Sequence, residues 1–391
     1  MTDKETLRLM LVAGEPSGDA HAASLVRALR ESAPHINFEL FGSTGAQMRA
    51  VGVEEVVRAD ELAIMGIVEV GKVLPKFWNA FQKLKRAAIE RRPDAVVLID
   101  WPEFNLRLAH ALHRKGTRVI YYISPQLWAW RSYRVRSIRR DVDLLLSILP
   151  FEPEWYAARG ITHTKFVGHP LTGEVRARCG RAEFCARHKL DATRPIVALL
   201  PGSRHKEMER ILPPLLDAAA QLSVSKPEIQ FVLALASNRP RAEADAIIAR
   251  HENAAQSLLI VQHETREALA AADAAAIASG TATLEAALIG TPFVIVYKES
   301  FINWHTLGRL IHAEHFGLVN LIAGERVVTE LMQTDLTGAK LAAELLALLD
   351  RESNQALRAR LHEITARLGT GEASNRAAEA ILKFIKDKTI S

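Results

Sequence analysis

Short apolar runs alternate with longer amphipathic stretches along almost the whole chain. Each run is nearly continuous in apolar residues, which is typical of a parallel strand covered by helices on both faces. A first series of predicted strands comprises Leu7–Ala13, Phe38–Phe41, Ala95–Asp100, Arg118–Ser124 and Leu144–Leu149. A second series comprises Ile196–Leu200, Gln230–Ala236, Leu258–Val261, Ala274–Ala278 and Pro292–Tyr297. Helical spacing lies between the strands, for example over Ala20–Glu31, Asn105–Lys115, Glu207–Leu222, Arg241–His251 and Thr281–Ile289.

This alternation predicts an α/β fold with right-handed crossovers and doubly wound parallel sheets. Because there are two series, we expect two Rossmann-like domains facing a cleft, at residues 1–172 and 173–391. The second series begins after His169-Pro170-Leu171. From Leu336 onward the pattern is almost wholly helical, so a helical segment should end the second domain. Its last helix is a candidate for packing back on the first domain.

Length and composition support an intracellular enzyme of two domains. The 391 residues exceed one ordinary core, and 49% hydrophobic with 24% charged residues is typical of a globular enzyme. The apolar runs are far shorter than the roughly 20 residues of a membrane-spanning helix, and the start lacks the features of a signal peptide. With only two cysteines, Cys179 and Cys185, neither a disulfide framework nor a cysteine zinc site is expected. We therefore expect a cytoplasmic protein.

Positive charge is concentrated in short segments. The net charge is +5, and one run of ten residues without an acid contains Arg131, Arg134, Arg136, Arg139 and Arg140. Such a cluster attracts the phosphate of a nucleic acid, a nucleotide or an anionic membrane. Because no aromatic-rich RNA motif or helix-turn-helix pattern accompanies it, we do not expect a nucleic-acid partner.

The sequence GEPSGD follows the first strand and opens a helix. A glycine turn at the carboxyl edge of a sheet lets the backbone approach a ligand. Two acids in the turn would repel a pyrophosphate, so we predict contacts to a sugar or acceptor from Gly14, Glu15, Ser17, Gly18 and Asp19. The alternative is a tight turn in which Asp19 is a favourable acid in the first helical turn.

The sequence LIDWPEFN places Asp100 at the end of a buried strand. A carboxylate at that edge can take the proton from an attacking hydroxyl, so Asp100 is the candidate general base. Glu103 is less favoured because it lies beyond the strand end. A cap on the following helix is the structural alternative for Asp100, and Glu15 and Asp19 stay open as alternative bases.

The sequence ISPQLWAWR carries two tryptophans just after a strand-terminal Ser-Pro. Trp128 and Trp130 could form a wall against which a sugar or an acyl chain packs. The alternative is a hydrophobic plug between the strand and the next helix. We retain Trp128 as a candidate substrate contact.

Two strand–turn–helix segments in the second domain have the features of anion sites. Backbone N–H groups at a helix start bind phosphate oxygens, and an arginine adds a bidentate donor. Glu285 could accept hydrogen bonds from ribose hydroxyls. The alternative is a capping box, which needs Ser or Thr three residues before the acid; residue 282 is Ala, which weakens that alternative. Together these features predict a bound nucleotide diphosphate. The predicted contacts are Gly202, Ser203, Arg204, Ser279, Gly280, Thr281 and Glu285.

An apolar stripe at helical spacing lies among lysines in the first domain. Its members are Ile67, Val70, Leu74, Phe77, Trp78 and Phe81, and the lysines are Lys72, Lys76, Lys83 and Lys85. A basic amphipathic helix with aromatic residues can rest in a membrane interface. Such a stripe more often faces the core.

Taken together, the motifs resemble the lipid-A-disaccharide synthase family, glycosyltransferase family 19. The resemblance covers the chain to about residue 335 and rests on motifs that follow one another in order. They are GEPSGD, MGIVEV, IDWPEFN, SPQLWAWR, LPFEPEWY, VGHPL, LLPGSR, SGTATLEAALIGTP and GLVNLIAG.

The resemblance implies an inverting enzyme of GT-B architecture that needs no metal or other cofactor. Its substrates would be UDP-2,3-diacylglucosamine and 2,3-diacylglucosamine 1-phosphate (lipid X). By position it implies Asp100 as base, Arg204 and Glu285 as UDP contacts, Asn320 as a further substrate contact, and the stripe as a membrane-docking patch.

For location, the family implies a peripheral protein on the inner face of the cytoplasmic membrane, with anionic lipids as partners; a homodimer stays open. The alternatives are another UDP-sugar GT-B enzyme, such as a cell-wall glycosyltransferase or a UDP-N-acetylglucosamine 2-epimerase, and a non-catalytic UDP-sugar-binding protein at the membrane.

Overall fold

The computed structural model describes residues 5–60, 70–251, 258–299 and 315–387, with the backbone alone at 70–74. The chain divides into two compact units. The first unit contains Met1–Gly173 together with Leu368–Ser391, and the second unit contains Glu174–Arg367.

The first unit is built on a parallel sheet of seven strands in the order β3-β2-β1-β4-β5-β6-β7. The strands are β1 (Thr6–Val12), β2 (Asn37–Thr44), β3 (Glu54–Arg58), β4 (Ala95–Ile99), β5 (Val119–Tyr122), β6 (Leu144–Ser147) and β7 (Thr164–Phe166). In the centre of the sheet, Leu9 pairs with Ala95 of β4 and with Leu40 of β2.

The second unit contains a parallel sheet of six strands in the order β10-β9-β8-β11-β12-β13. Its strands are β8 (Ile196–Leu200), β9 (Gln230–Leu235), β10 (Leu258–Gln262), β11 (Ala274–Ala278), β12 (Phe293–Tyr297) and β13 (Glu330–Met332). Every residue of β8, β9 and β11 is buried, as their continuous apolar sequences require.

The described helices follow in chain order. They are α1 (Pro16–Ser32), α2 (Ala46–Ala50), α3 (Val70–Arg91), α4 (Pro102–His113), α5 (Val135–Asp141), α6 (Glu152–Ala157), α7 (Leu171–Glu174), α8 (Arg181–His188), α9 (His205–Ser225), α10 (Arg241–Ile248), α11 (Thr265–Ala271), α12 (Thr281–Ile289), α13 (Leu318–Ala323), α14 (Gly338–Leu348), α15 (Arg351–Ala366) and α16 (Ala373–Asp387). Among these helices, none combines the length and the apolar character that crossing a bilayer requires.

Both faces of the first sheet are covered because alternate residues of a strand point to opposite sides. On one side Leu9 and Leu11 of β1 join a core with α1 and α16. On the other side Met10 and Val12 join a core with α3, α4 and α5. The result is the doubly wound arrangement that the apolar runs predict.

Helix α16 comes last in the chain and packs in the core of the first unit. Its residues Ala377, Ile381 and Ile385, spaced four apart, are 0%, 0% and 6% exposed. They share a core with Leu25 and Leu29 of α1. The apolar stripe of α16 is thus buried against the first helix of the chain.

In both sheets the strand that comes first in sequence lies between the second and the fourth, which is the Rossmann strand order 3-2-1-4-5-6. Chain connections therefore run in opposite directions from the β1–β4 pair and from the β8–β11 pair. The loops that leave the carboxyl ends of these pairs diverge and leave a crevice, where such folds bind ligands. The predicted fold class, α/β with two Rossmann-like sheets and a helical C-terminal segment, is confirmed.

Candidate functional site

In the first unit, the loops after β1 and β4 meet at the point where the strand order reverses. Gly14 follows β1, and Trp101 follows β4. A Cβ atom on Gly14 would lie 2.1 Å from the Trp101 indole. Only glycine lets the β1 loop approach this ring, so the first glycine of GEPSGD is needed for packing between the two loops.

Asp100 occupies an unusual backbone conformation directly after β4. Its φ is 48° and that of Trp101 is 51°, both in the left-handed region that L-residues rarely adopt. The Asp100 carbonyl accepts hydrogen bonds from Tyr121 Oη at 2.6 Å and from Asn105 Nδ2 at 2.8 Å. Asn105 Nδ2 also lies 3.2 Å from the Ile99 carbonyl oxygen. These donors hold the Asp100 turn, meaning Asp100 and Trp101, in a conformation that is unfavourable by itself.

The Asp100 carboxyl has an elevated pKa. Burial is the larger cause, the negative charge of the exposed Glu15 adds to it, and a hydrogen bond from the Trp101 backbone opposes both. A carboxylate with a raised pKa is a better proton acceptor, which suits a general base. The structure therefore brings Glu15 close to Asp100, where it acts on the pKa of that group.

Asp19 is buried and hydrogen-bonded to the backbone around the start of α2. Its carboxylate is 4% exposed and accepts three backbone hydrogen bonds, from Gly45 at 2.8 Å, Gln47 at 2.8 Å and Met48 at 3.1 Å. Asp19, which lies in α1, thus caps the start of α2, the helix that follows β2. Both carboxylate oxygens accept backbone hydrogen bonds, which indicates a structural role for Asp19; its contact with substrate and its role as a base stay predictions. Ser17 is exposed on α1, and Gly18 is buried against Ala13.

Trp128 is held by an acid that sequence analysis missed. Its Nε1 donates to Glu152 Oε1 at 3.2 Å, and the Leu149 N–H donates to Glu152 Oε2 at 3.0 Å. Glu152 is fully buried, and burial raises its pKa to about 7, against the effect of these hydrogen bonds. The polar edge of Trp128 therefore faces inward, while Trp130 is 44% exposed.

A cluster of one acid and two arginines lies beside the Asp100 turn. Glu103, in the first turn of α4, forms ion pairs with Arg131 and with Arg134. The Arg134 hydrogen bond is the main cause of a lowered pKa at Glu103. Glu103 therefore stays ionised and paired, which agrees with its being less favoured as the base.

In the second unit, the turn after β8 is closed by Glu207. The Glu207 carboxylate accepts the N–H groups of Ser203 at 3.0 Å and Arg204 at 3.1 Å, and its other oxygen accepts Arg204 Nη1 at 2.8 Å. A Cβ atom on Gly202 would lie 2.5 Å from this carboxylate. The N–H groups that were predicted to bind phosphate donate to this internal carboxylate, and their contact with phosphate stays a prediction. The Arg204 side chain remains 80% exposed.

The neighbouring loop after β11 leads into α12. Ser279, Gly280 and Thr281 precede or begin this helix, and its N-cap, Gly280, has no side-chain cap in the described structure. β8 and β11 are adjacent in the sheet, so this helix start and the Arg204 turn lie at the same edge. The positive end of a helix dipole and an exposed arginine are suited to a phosphate group.

Glu285 is oriented by Arg266, a residue that the sequence patterns did not indicate. The Arg266 Nη2 and Nε atoms donate to Glu285 Oε1 at 2.7 and 3.1 Å. Arg266 is itself held by the Glu174 carbonyl at 2.8 Å. Glu285 is partly exposed and lies on α12, one turn beyond the helix start.

Asn320 is buried, and both of its amide atoms are used within the protein. Its Nδ2 donates to the Val328 carbonyl and to Glu330 Oε1, both at 2.8 Å. Its Oδ1 accepts the N–H groups of Val327 and Val328, both at 2.9 Å. Asn320 thus ties the loop before β13 to α13, and its contact with substrate stays a prediction.

The apolar stripe is described from Phe77 onward. Ile67 lies outside the described residues, and the side chains of Val70 and Leu74 do as well. Phe77 and Phe81 are partly buried against Phe104, with ring centroids 6.3 and 5.9 Å from it. Trp78 is 64% exposed and stacks on Phe81 at 5.7 Å.

Phe104 in turn stacks on Trp101, 4.1 Å away. Aromatic contacts therefore run from the exposed Trp78 to the Asp100 turn. Among the described residues, no group of three or more His, Cys, Asp or Glu side chains is arranged to hold a metal ion.

Comparison with known proteins gives one consistent family. The family model described as lipid-A-disaccharide synthetase matches residues 9–385. A lipid-A-disaccharide synthase of Geobacter sulfurreducens is 41% identical over 386 residues, covering 98% of this chain and 99% of that protein. One of Myxococcus xanthus is 41% identical over 379 residues, covering 97% of each.

Solved structures share the fold at low sequence identity. A UDP-N-acetylglucosamine 2-epimerase of Neisseria meningitidis, bound to UDP-N-acetylglucosamine, has a TM-score of 0.62 at 11% identity, covering 97% of this chain and 100% of that one. MurG of Acinetobacter baumannii has a TM-score of 0.56 at 14% identity, covering 97% and 99%.

Proposed function

This chain belongs to the lipid-A-disaccharide synthase family, and from that premise we propose the reaction and the residues that perform it. As a member of the family it is a UDP-sugar-dependent glycosyltransferase with the GT-B fold. The substrates we propose are UDP-2,3-diacylglucosamine as donor and 2,3-diacylglucosamine 1-phosphate as acceptor. The product is the β-1,6-linked disaccharide 1-phosphate, with UDP released.

We assign proton removal to Asp100. The acceptor hydroxyl attacks the anomeric carbon of the donor, the bond from that carbon to the UDP oxygen breaks, and the hydroxyl proton passes to the Asp100 carboxylate. The observation that carries this assignment is the left-handed Asp100 turn, held by Tyr121 and Asn105 at the point where the strand order reverses. Its raised pKa adds to the case.

We assign UDP to the second unit. The exposed Arg204 guanidinium and the uncapped start of α12 are the donors available to the diphosphate, and they stabilise the charge that develops on the leaving UDP. Glu285, oriented by Arg266, is the proposed acceptor for ribose hydroxyls. No metal is required in this scheme, because the arginine and the helix dipole supply the positive potential.

We also propose that α3 docks on the inner face of the cytoplasmic membrane, where acylated sugars reside. Trp78 offers exposed apolar surface, and further along α3 a groove of about 620 Å³ is lined by Lys83, Lys85 and Arg86, together with Glu90. Basic residues near an anionic surface contribute about 1 kcal/mol each to membrane binding.

Trp78→Ser should weaken vesicle binding while leaving the unfolding midpoint unchanged. Phe104→Ser, which changes a buried residue, serves as the comparison and should lower the unfolding midpoint. Retained vesicle binding by Trp78→Ser would exclude this surface.

The reaction is tested by measuring UDP release with donor alone, acceptor alone and both. We expect release only with both substrates, and Asp100→Asn should lower kcat by about 10²- to 10⁴-fold while UDP affinity is preserved. Arg204→Ala should weaken UDP binding instead. Isomerisation of the donor without acceptor would contradict the proposal and favour an epimerase. Near-normal turnover by Asp100→Asn would move the base to Glu15.

Sedimentation of the purified protein addresses the homodimer that the sequence leaves open.

A further inference from the structure

Two arginine side chains converge on a single carboxylate beside the proposed base. Arg134 donates to both oxygens of Glu103, at 2.8 and 2.7 Å, and Arg131 donates to one of them. Glu103 lies in the turn of α4 that directly follows the Asp100 turn. The arginines come from the loop after β5, the strand that pairs with β4. The three side chains are called the Glu103 cluster below.

The arginines of the cluster are held more firmly than the acid. The Arg134 side chain is 17% exposed and the Glu103 side chain 50% exposed. The Arg131 guanidinium lies 4.0 Å from the centre of the Trp130 ring, which fixes its plane. An exposed glutamate can rotate into water at little cost, whereas the two guanidinium groups would keep their positions.

Backbone strain is concentrated around this cluster. Of the eight non-glycine residues with positive φ in the described parts of the chain, four lie in the loops after β4 and β5: Asp100, Trp101, Ile123 and Arg131. Such conformations are unfavourable by themselves and persist where the surrounding structure enforces them, often at ligand sites. The strain at Arg131 therefore helps to set where its guanidinium points.

The charge of the cluster is not balanced. Two guanidinium groups face one carboxylate, and the positive charge of Arg107 also contributes to the lowered pKa of Glu103. A phosphate monoester carries about −1.5 to −2 charges and three acceptor oxygens, so it can accept hydrogen bonds from both guanidinium groups and neutralise both charges. One carboxylate neutralises only one of the two charges. Arginine binds such groups bidentately, which lysine cannot do.

We infer that Arg131 and Arg134 form the subsite for the phosphate monoester of the acceptor sugar, and that Glu103 occupies this subsite until the acceptor arrives. The inference rests on the proposed function, because it takes the acceptor to be a phosphorylated sugar. It places the acceptor's charged end on the loop after β5, beside the base that receives the hydroxyl proton. Glu103 then keeps the arginines paired in the free enzyme and leaves for solvent when phosphate binds.

The test compares two acceptors on each variant, in neutral detergent micelles without anionic lipid. One acceptor is 2,3-diacylglucosamine 1-phosphate and the other is the same sugar without phosphate. Arg134→Ala and Arg131→Ala should each lower kcat/KM for the phosphorylated acceptor by about 10- to 100-fold, mainly through KM, with little change for the other acceptor. Because the readout is a ratio of two acceptors on one preparation, a partly unfolded variant does not distort it.

Arg114→Ala is the matched control, since Arg114 is an exposed arginine at the opposite end of the same helix, α4. It should leave the ratio of the two acceptors unchanged. An equal loss for both acceptors in the Arg134 and Arg131 variants would overturn the inference and make the cluster structural. The same assay is repeated on anionic vesicles. A loss that appears only there, and equally for both acceptors, would overturn the inference in favour of lipid headgroups. A wild-type protein that releases no UDP with either acceptor would refute the proposed function itself.

Discussion

Removing one hydroxyl, by Tyr121→Phe, should separate the stability of the first unit from the geometry of its proposed base. The Tyr121 ring is fully buried in β5, and its Oη donates to the Asp100 carbonyl at 2.6 Å. Burial holds the pKa of Tyr121 well above its usual value, so the hydroxyl remains a donor throughout the working pH range. Phenylalanine keeps the ring packing and removes only this hydrogen bond.

The magnitude follows from the two groups that hold the carbonyl. Tyr121 and Asn105 both donate to it, so one donor remains in the variant and the carbonyl is not left unpaired. A buried hydrogen bond contributes about 1 kcal/mol net, whereas two left-handed residues cost on the order of 1–2 kcal/mol each. We therefore expect unfolding free energy to fall by about 1 kcal/mol, and the working turn to be depopulated by up to about 5-fold.

The assay pairs urea unfolding with steady-state UDP release. Tyr121→Phe should lower kcat by roughly 3- to 5-fold, as the loss of about 1 kcal/mol implies, with the donor KM unchanged. Thr291→Val is the control, because it removes a buried hydroxyl that donates to the Leu269 carbonyl at 2.7 Å in the second unit. It should cost similar stability without lowering kcat. If Tyr121→Phe loses stability and keeps full kcat, the bond to Asp100 supports the fold alone and our reasoning about the turn is wrong.

Two further predictions concern acids of the first unit. Asp19→Asn puts an amide NH₂ against backbone N–H groups at the start of α2. The free energy of unfolding in urea should fall by about 1–3 kcal/mol, and the folded protein should keep its kcat. A loss of activity at unchanged stability would indicate that Asp19 takes part in the reaction. Glu152 has a folded pKa of about 7 against an ordinary 4.5, so the folded protein keeps a proton that the unfolded chain has lost. The ionisation of Glu152 therefore lowers the free energy of unfolding as pH rises from about 4.5 to about 7, and above pH 7 its effect is constant. Unfolding measured across this window should show a flatter pH dependence for Glu152→Gln than for the wild type, and parallel curves would contradict the assignment.

The strands inside each sheet, which are covered on both faces, were predictable from sequence, whereas three of the four edge strands were not. The edge strand β10 (Leu258–Gln262) was predicted because its sequence, LLIVQ, is a continuous apolar run. β4, with sequence AVVLI, is buried at every residue and reads as a strand. β3, with sequence EEVVR, has one buried residue, and β13 is only three residues long. An edge strand lacks a neighbour on one side and needs no continuous apolar run, so hydrophobic periodicity alone does not reveal it.

The candidate site was predictable as far as it depends on strand ends. Asp100 could be named because a carboxylate following a buried strand must lie at the sheet edge. Tyr121 could not, because its contact depends on the pairing of β4 with β5, which the apolar pattern does not specify. Asp19 was predicted from the local motif GEPSGD, yet its three hydrogen-bond partners are 26 or more residues away in the sequence. Short-range patterns therefore indicate candidate residues, but they do not give the hydrogen-bond partners that hold those residues in place.

The position of α16 has a consequence for how the protein is made. The core of the first unit includes Ile381 and Ile385, yet the whole second unit, Glu174–Arg367, is synthesised before them. At 5–20 residues per second, translation of those roughly 200 residues takes on the order of 10–40 s. During that interval the nascent first sheet has Leu25 and Leu29 of α1 without their partner helix. All residues of the second unit are therefore made before the core of the first unit is complete, and this face of the first unit stays uncovered until α16 has been synthesised.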